Sequence, residues 1–239
     1  QPMWVELQAC FEWLDAEPEV RVVILAGQGK HFCAGLDLDM FGALSPAADA
    51  DPARESERLR RTILGLQGNL TAIEKCRKPV LAAIHGACIG GGIDMVTCCD
   101  MRYCSGDAHF SIKEVDVGIT ADVGTLQRLP KLINDGMVRE LAYTGRRFDA
   151  VEAQQIGMVN RVFETPAALL AGVNSLAEQI ASKAPLAIRG TKEMIVYSRD
   201  HSVEDGLNYV ATWNASMMSQ HDIVTQLSAT KDKPAKFNN

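Results

Sequence analysis

Apolar residues recur at helical spacing from the start of the chain. Trp4, Leu7, Phe11 and Leu14 put one apolar stripe on residues 3–16, predicting an amphipathic helix that Pro18 closes. The period then changes: Val20 to Ala26 (VRVVILA) is a β-branched run bounded by Gly27 and Gly29, which predicts a strand. The segment GQGKHFCAGLDLDMF that follows is a loop with apolar residues inside it, more typical of a site than of a connector. Residues 44–56 are polar, alanine-rich and broken by two prolines, and are expected to form a mobile surface loop. Leu59, Ile63, Leu66, Leu70 and Ile73 restore the helical period as far as Cys76.

The stretch from Lys78 to Pro130 organises the rest. A buried-strand run, Val80 to Ile84, leads through His85-Gly86 to three glycines, Gly90, Gly91 and Gly92, and then to a short helix over Ile93–Cys99. A helix N-terminus presents unpaired backbone N–H groups, and glycines let a ligand approach them closely. Short strands are expected near Met101–Cys104 and His109–Ile112, and helical segments over Gly124–Leu132 and Met137–Tyr143. Asp149 is placed to cap a helix over Val151–Ile156 that Gly157 ends, and Val159–Phe163 reads as a strand. Beyond Thr165 the pattern is helical, broken at Pro185, near Ser202 and near Ser219-Gln220, before a polar tail. Strands alternating with helices, then helices alone, predict an α/β core over residues 1–185 and a helical C-terminal region over 186–239.

Composition narrows the function. The chain has 239 residues and 47% hydrophobic content, enough for one large core. Its net charge of −6, with no basic block, argues against nucleic acid as the main partner. No apolar run approaches the ~20 residues that span a bilayer. The opening residues, amphipathic and acidic, do not read as a signal peptide, and KFNN is no peroxisomal address, so cytoplasm is the expected compartment, or peroxisome or mitochondrion for a eukaryotic chain with an unseen signal. The seven cysteines lack a pairing or zinc-ligand spacing and suit reduced thiols. Three acids, Asp94, Glu114 and Asp122, lie in apolar or small-residue surroundings downstream of the glycines. An anion-stabilising turn beside carboxylates points to acid–base chemistry on a carbonyl compound.

HFCAGLDL (His31–Leu38), followed by KPVLAAIHGACIGGGIDMVTCCDMRYC, KEVDVGITADVGTLQRLP and AVEAQQIGMVNRVF, resembles the signature segments of the crotonase superfamily, the enoyl-CoA hydratases and isomerases. Within it, Asp94, Glu114, Asp122 and the run YSRDHSVEDGLNYVATWN (Tyr197–Asn214) resemble the Δ3,5-Δ2,4-dienoyl-CoA isomerases. The superfamily's usual first strand and basic turn, part of the expected CoA-binding surface, are not in this sequence. The resemblance implies a spiral of β-β-α turns with a helical trimerisation region, and therefore a homotrimer or a dimer of trimers. It implies an acyl-CoA thioester as substrate, coenzyme A being part of that substrate, with no metal, no redox cofactor and no membrane partner.

The resemblance also assigns roles. The backbone amides of Leu36 and Gly91 would form an oxyanion hole, and losing one such donor costs about 3–4 kcal/mol in a comparable hole. Ala34, Leu36, Asp37, Gly90 and Gly91 would line the thioester and CoA site. Glu114 would take a proton at C2, in a setting that Val115, Val117 and Ile119 are expected to bury in part. Asp122, eight positions later (122 − 114) and otherwise suited to cap the next helix, would deliver a proton at C6. One carboxylate cannot reach both carbons at hydrogen-bond distance. Asp94, shorter than the hydratases' second glutamate, would support the other two electrostatically, and three acids in one apolar pocket imply at least one raised pKa. An enoyl-CoA hydratase, or a non-catalytic acyl-CoA-binding homologue, is the alternative. His85 is expected to be a hydrogen-bonded core residue, while Lys30 is a candidate partner for a CoA phosphate.

Overall fold

Residues 2–35, 51–230 and 233–238 are described by the structure, a computed structural model. In chain order the helices are α1 (Pro2–Ala16), α2 (Pro52–Lys75), α3 (Gly91–Thr97), α4 (Thr125–Arg128), α5 (Asp135–Thr144), α6 (Ala150–Gln155), α7 (Pro166–Ala181), α8 (Pro185–Tyr197), α9 (Val203–Met217) and α10 (Gln220–Leu227). The strands are β1 (Val23–Ala26), β2 (Val80–Ile84), β3 (Ala87–Ile89), β4 (Met101–Ser105), β5 (His109–Ser111), β6 (Phe148–Asp149) and β7 (Arg161–Phe163).

β2 is buried along its whole length, as its continuous apolar run requires. It is the inner strand of a parallel sheet ordered β1-β2-β4-β7. Its alternation divides two cores. Val80, Ala82 and Ile84 join the larger one, while Leu81 and Ala83 meet Tyr103 and the α7 residues Leu169 and Val173. A second, smaller sheet runs β3-β5-β6, with β5 and β6 antiparallel. The backbone of Cys33 pairs in parallel with β3 at Cys88, its N–H donating to Ala87 O and its carbonyl accepting from the Ile89 N–H, so the first loop is held beside the glycine turn. Both cysteines are free thiols.

Several boundaries differ from the sequence reading. The strand expected over 20–26 begins only at Val23, opposite Val80. Proline lacks the N–H a ladder needs, and Pro79 immediately precedes β2. The loop expected over 44–56 is helix from Pro52, because Asp51 accepts the Arg54 N–H at 3.0 Å and Pro52 stands in the first turn. The strand expected from Val159 starts at Arg161, since Asn160 turns a corner by exchanging hydrogen bonds with the Arg102 backbone. Strands β3 and β6, of three and two residues, were hidden between turn signals.

In the helical region the caps fall where the pattern breaks. Thr165 caps α7, Ser202 and Asp205 form a reciprocal capping box on α9, and Ser219 caps α10. Neither α9 nor α10 has a buried residue, although Val203 is 80% and Leu227 81% exposed. Among the described residues, no helix is long and apolar enough to cross a membrane.

Candidate active site

A cavity of about 720 Å³ lies between α2 and the turn Gly90-Gly91. Leu59, Ile63 and Leu66 of α2, with Trp4 of α1, supply an apolar wall. Asp94, Glu114 and Asp122 all line this one space, as do Ala34, Gly90 and Gly91. Leu36 and Asp37 lie outside the described residues.

Gly90 adopts φ +52°, which favours glycine, and a Cβ there would meet the Glu114 Oε1 at 3.3 Å. Its carbonyl accepts the N–H groups of Ile93 and Asp94, turning the chain from β3 into α3. The Gly90 N–H is spent on Ser111 O at 3.0 Å. Neither the Gly91 nor the Gly92 N–H has an acceptor among the described residues, and of the two only Gly91 lines the cavity.

The three acids occupy different settings. Asp94 is fully buried, and its Oδ1 accepts both the backbone N–H and the hydroxyl of Thr125, each at 2.7 Å. Its Oδ2 is buried without a partner. Glu114 stands in a 3₁₀ turn, Glu114–Val117, with its carboxylate against Gly90 and its Oε2 buried and unpaired. Val115, Val117 and Ile119 remain 44%, 52% and 40% exposed, yet Val117 and Ile119 line the same cavity as Glu114. The acid itself folds back against the Gly90 backbone.

Asp122 is half-buried, and its carbonyl accepts the Gln67 Nε2 at 2.6 Å. It does not cap α4. The cap position is Gly124, with no side-chain bond, and Asp94 takes the Thr125 N–H from across the site. Gly124, at φ +136°, leaves room for the Arg128 guanidinium, which a Cβ would strike. Arg128 pairs with Glu74 at 3.1 Å, and Glu74 pairs also with Arg199 beyond the end of α8.

Burial raises the pKa of Asp94, of Glu114 and of Asp122 above the ordinary carboxylate range. For Glu114 the charges of Asp94 and Asp122 push the same way, whereas the Thr125 hydrogen bonds partly hold Asp94 down. Raised carboxyl pKa values suit such a set to exchanging protons with a bound carbon acid.

Thr125, Gln67 and the α2 wall escaped the sequence reading. Thr125 follows a glycine at a helix start, but nothing in sequence tells that its donor serves an acid 31 positions away. Other candidates stand apart from the acids. His85 pairs with the Gly29 carbonyl at 3.0 Å, and His31 accepts the Ala87 N–H. Lys30 and His85 line a separate cavity, and Arg146 pairs with Glu140 and Glu152.

The model of the enoyl-CoA hydratase/isomerase family matches residues 1–237. The chain belongs to that family. A peroxisomal Δ3,5-Δ2,4-dienoyl-CoA isomerase of Arabidopsis thaliana is 51% identical over 235 residues, 97% of this chain and 84% of the plant protein. A mitochondrial Δ3,5-Δ2,4-dienoyl-CoA isomerase of Mus musculus is 49% identical, over 96% of this chain and 71% of its own length. Among solved structures, an enoyl-CoA hydratase from Bacillus anthracis superposes with a TM-score of 0.87 at 31% identity, covering 99% of this chain and 88% of that one. The α/β architecture expected from the sequence is thus the crotonase fold of this family.

Proposed function

We propose that this chain is a Δ3,5-Δ2,4-dienoyl-CoA isomerase, acting on the acyl-CoA thioester whose dienolate the glycine turn can stabilise. The observation that carries the reading is the shared cavity: Glu114 and Asp122 face the same apolar space beside a free Gly91 amide. The identity to dienoyl-CoA isomerases over nearly the whole chain supports it.

Glu114, as carboxylate, takes a proton from C2. The C2–H electron pair delocalises toward the thioester oxygen, where the Gly91 amide and, by resemblance, that of Leu36 lower the energy of the developing charge. The extended dienolate takes a proton at C6 from the Asp122 carboxyl, and the 3,5-diene becomes a 2,4-diene. Asp94, one methylene shorter than a glutamate, commits its Oδ1 to Thr125 and has only Oδ2 left with which to hold a water. Its charge raises the Glu114 pKa toward the working range.

The reaction needs no metal or redox group: one proton leaves C2 and one arrives at C6. The named relatives are peroxisomal and mitochondrial, so the cytoplasmic compartment expected from the sequence draws no support from them. The test is to offer a 3,5-dienoyl-CoA and a 2-enoyl-CoA in parallel. The ultraviolet change of lengthened conjugation is expected with the first; efficient hydration of the second without isomerisation of the first overturns the reading in favour of a hydratase.

A further inference from the structure

Asp122 borders two cavities. Besides the apolar one it shares with Glu114 and Asp94, it lines a second, of about 500 Å³, with Gln67, Thr71, Gln127 and Arg128. Neither Asp94 nor Glu114 reaches that second space. Apart from Val123 and Gly124, every residue around it is polar or charged. Of its three acids, Glu74 pairs with Arg128 and Arg199 and Asp200 with Lys131, which leaves Asp122 without an ion pair among the described residues. Space of this size with many polar groups suits water.

We propose that this polar cavity is the proton port of Asp122, through which the C6 acid is recharged from solvent while the acyl chain fills the apolar cavity. The inference rests on the isomerase reading. Each turnover leaves Glu114 with one proton gained and Asp122 with one lost, although the substrate as a whole is unchanged in proton count. Before the next turnover a proton must enter at Asp122 and one must leave Glu114. Passage from Glu114 through Asp94 to Asp122 is an internal alternative, and it conserves the transferred hydrogen. The polar cavity offers the external route: solvent donates to the Asp122 carboxylate from one side, and Glu114 discharges through the apolar cavity once product leaves. The asymmetry makes the two acids differ, the donor in contact with bulk protons and the acceptor sealed by the bound chain.

The test uses the full chain and a 3,5-dienoyl-CoA deuterated at C2, turned over many times in H2O, with deuterium at C6 of the product read by mass spectrometry. Protium at C6 in most of the product is expected; predominant deuterium at C6 overturns the port in favour of the internal relay. Gln127 lines only the polar cavity and sits at an exposed helix position, so it can be changed without touching the site. In Q127W, kcat is expected to fall about tenfold at unchanged KM and to recover with rising concentration of a small buffer acid, whereas Q127A keeps the wild-type rate. Wild-type kcat and label pattern in Q127W overturn the port. A wild-type enzyme that isomerises nothing refutes the isomerase reading instead.

Discussion

A single oxygen of Asp94 receives both hydrogen bonds that Thr125 can donate, from its amide and from its hydroxyl. Three positions separate that anchor from Asp122, so the Asp94 side chain fixes where the proposed C6 acid stands. Hydrogen bonds to a charged group contribute about 1.5–3 kcal/mol. Thr125→Val keeps the shape and the amide but removes the hydroxyl. Steady-state kinetics are expected to show kcat falling about tenfold at near-constant KM, because misplacement of a reacting group costs rate rather than binding. Thr125→Ser should restore it; an inactive Ser variant beside a folded Val variant would refute positioning through the hydroxyl.

Asp94→Asn separates geometry from charge, since its amide oxygen can still accept from Thr125. Burial first, then the Asp94 and Asp122 charges, hold the Glu114 pKa above its ordinary 4.5. As the proposed base Glu114 must be ionised, so its raised pKa should set a high acidic limb in kcat/KM. Removing the Asp94 charge is expected to move that limb to lower pH. A limb that stays in place, or moves up, contradicts electrostatic coupling between the two.

The same burial has a cost in stability. A carboxyl whose folded pKa is raised binds more protons in the native state, so stability declines as pH rises from the ordinary value through the folded one. Glu114→Gln should therefore melt higher than the wild type at neutral pH, although it is inactive. That advantage should vanish below pH 4.5, where both forms carry a neutral side chain. Equal melting temperatures at neutral pH would show that the site stores no such strain.

Gly124→Ala brings two faults together, a side chain at φ +136° and a collision with the Arg128 guanidinium. Denaturant unfolding is expected to show a loss of about 1–3 kcal/mol. A variant as stable as the wild type would mean that Arg128 has another seat.

Leu207 and Val224, on α9 and α10, are 64% and 61% exposed in the single chain. Apolar surface on two helices with nothing buried is expected to be covered by another copy of the chain. Light scattering is expected to give an oligomer at micromolar protein, and Leu207→Asp to lower its mass. A wild-type monomer under those conditions would refute self-association.

The sequence exposed much of this, for identifiable reasons. Period and punctuation located β2, α7 and the C-terminal helices, whose ends coincide with Thr165, Ser202 and Ser219 acting as caps. The acids announced themselves by contrast with apolar neighbours, and they do converge on one cavity. Long-range partners stayed hidden. The partly buried setting of Glu114, on a cavity shared with Val117 and Ile119, was legible, whereas the acceptance of the Thr125 N–H by Asp94 was not. Which backbone an acid meets depends on the crossing of α3 with the 121–125 segment, and no local pattern records it.

Glu74 is clasped from two directions, by Arg128 next to the acid-bearing loop and by Arg199 just past the helix that leads into the C-terminal appendage. That carboxylate moors the reactive loop to a part of the molecule with no catalytic group of its own. Fraying of the appendage on warming therefore slackens the loop while the parallel sheet is still intact. Turnover should fail at a lower temperature than the fold.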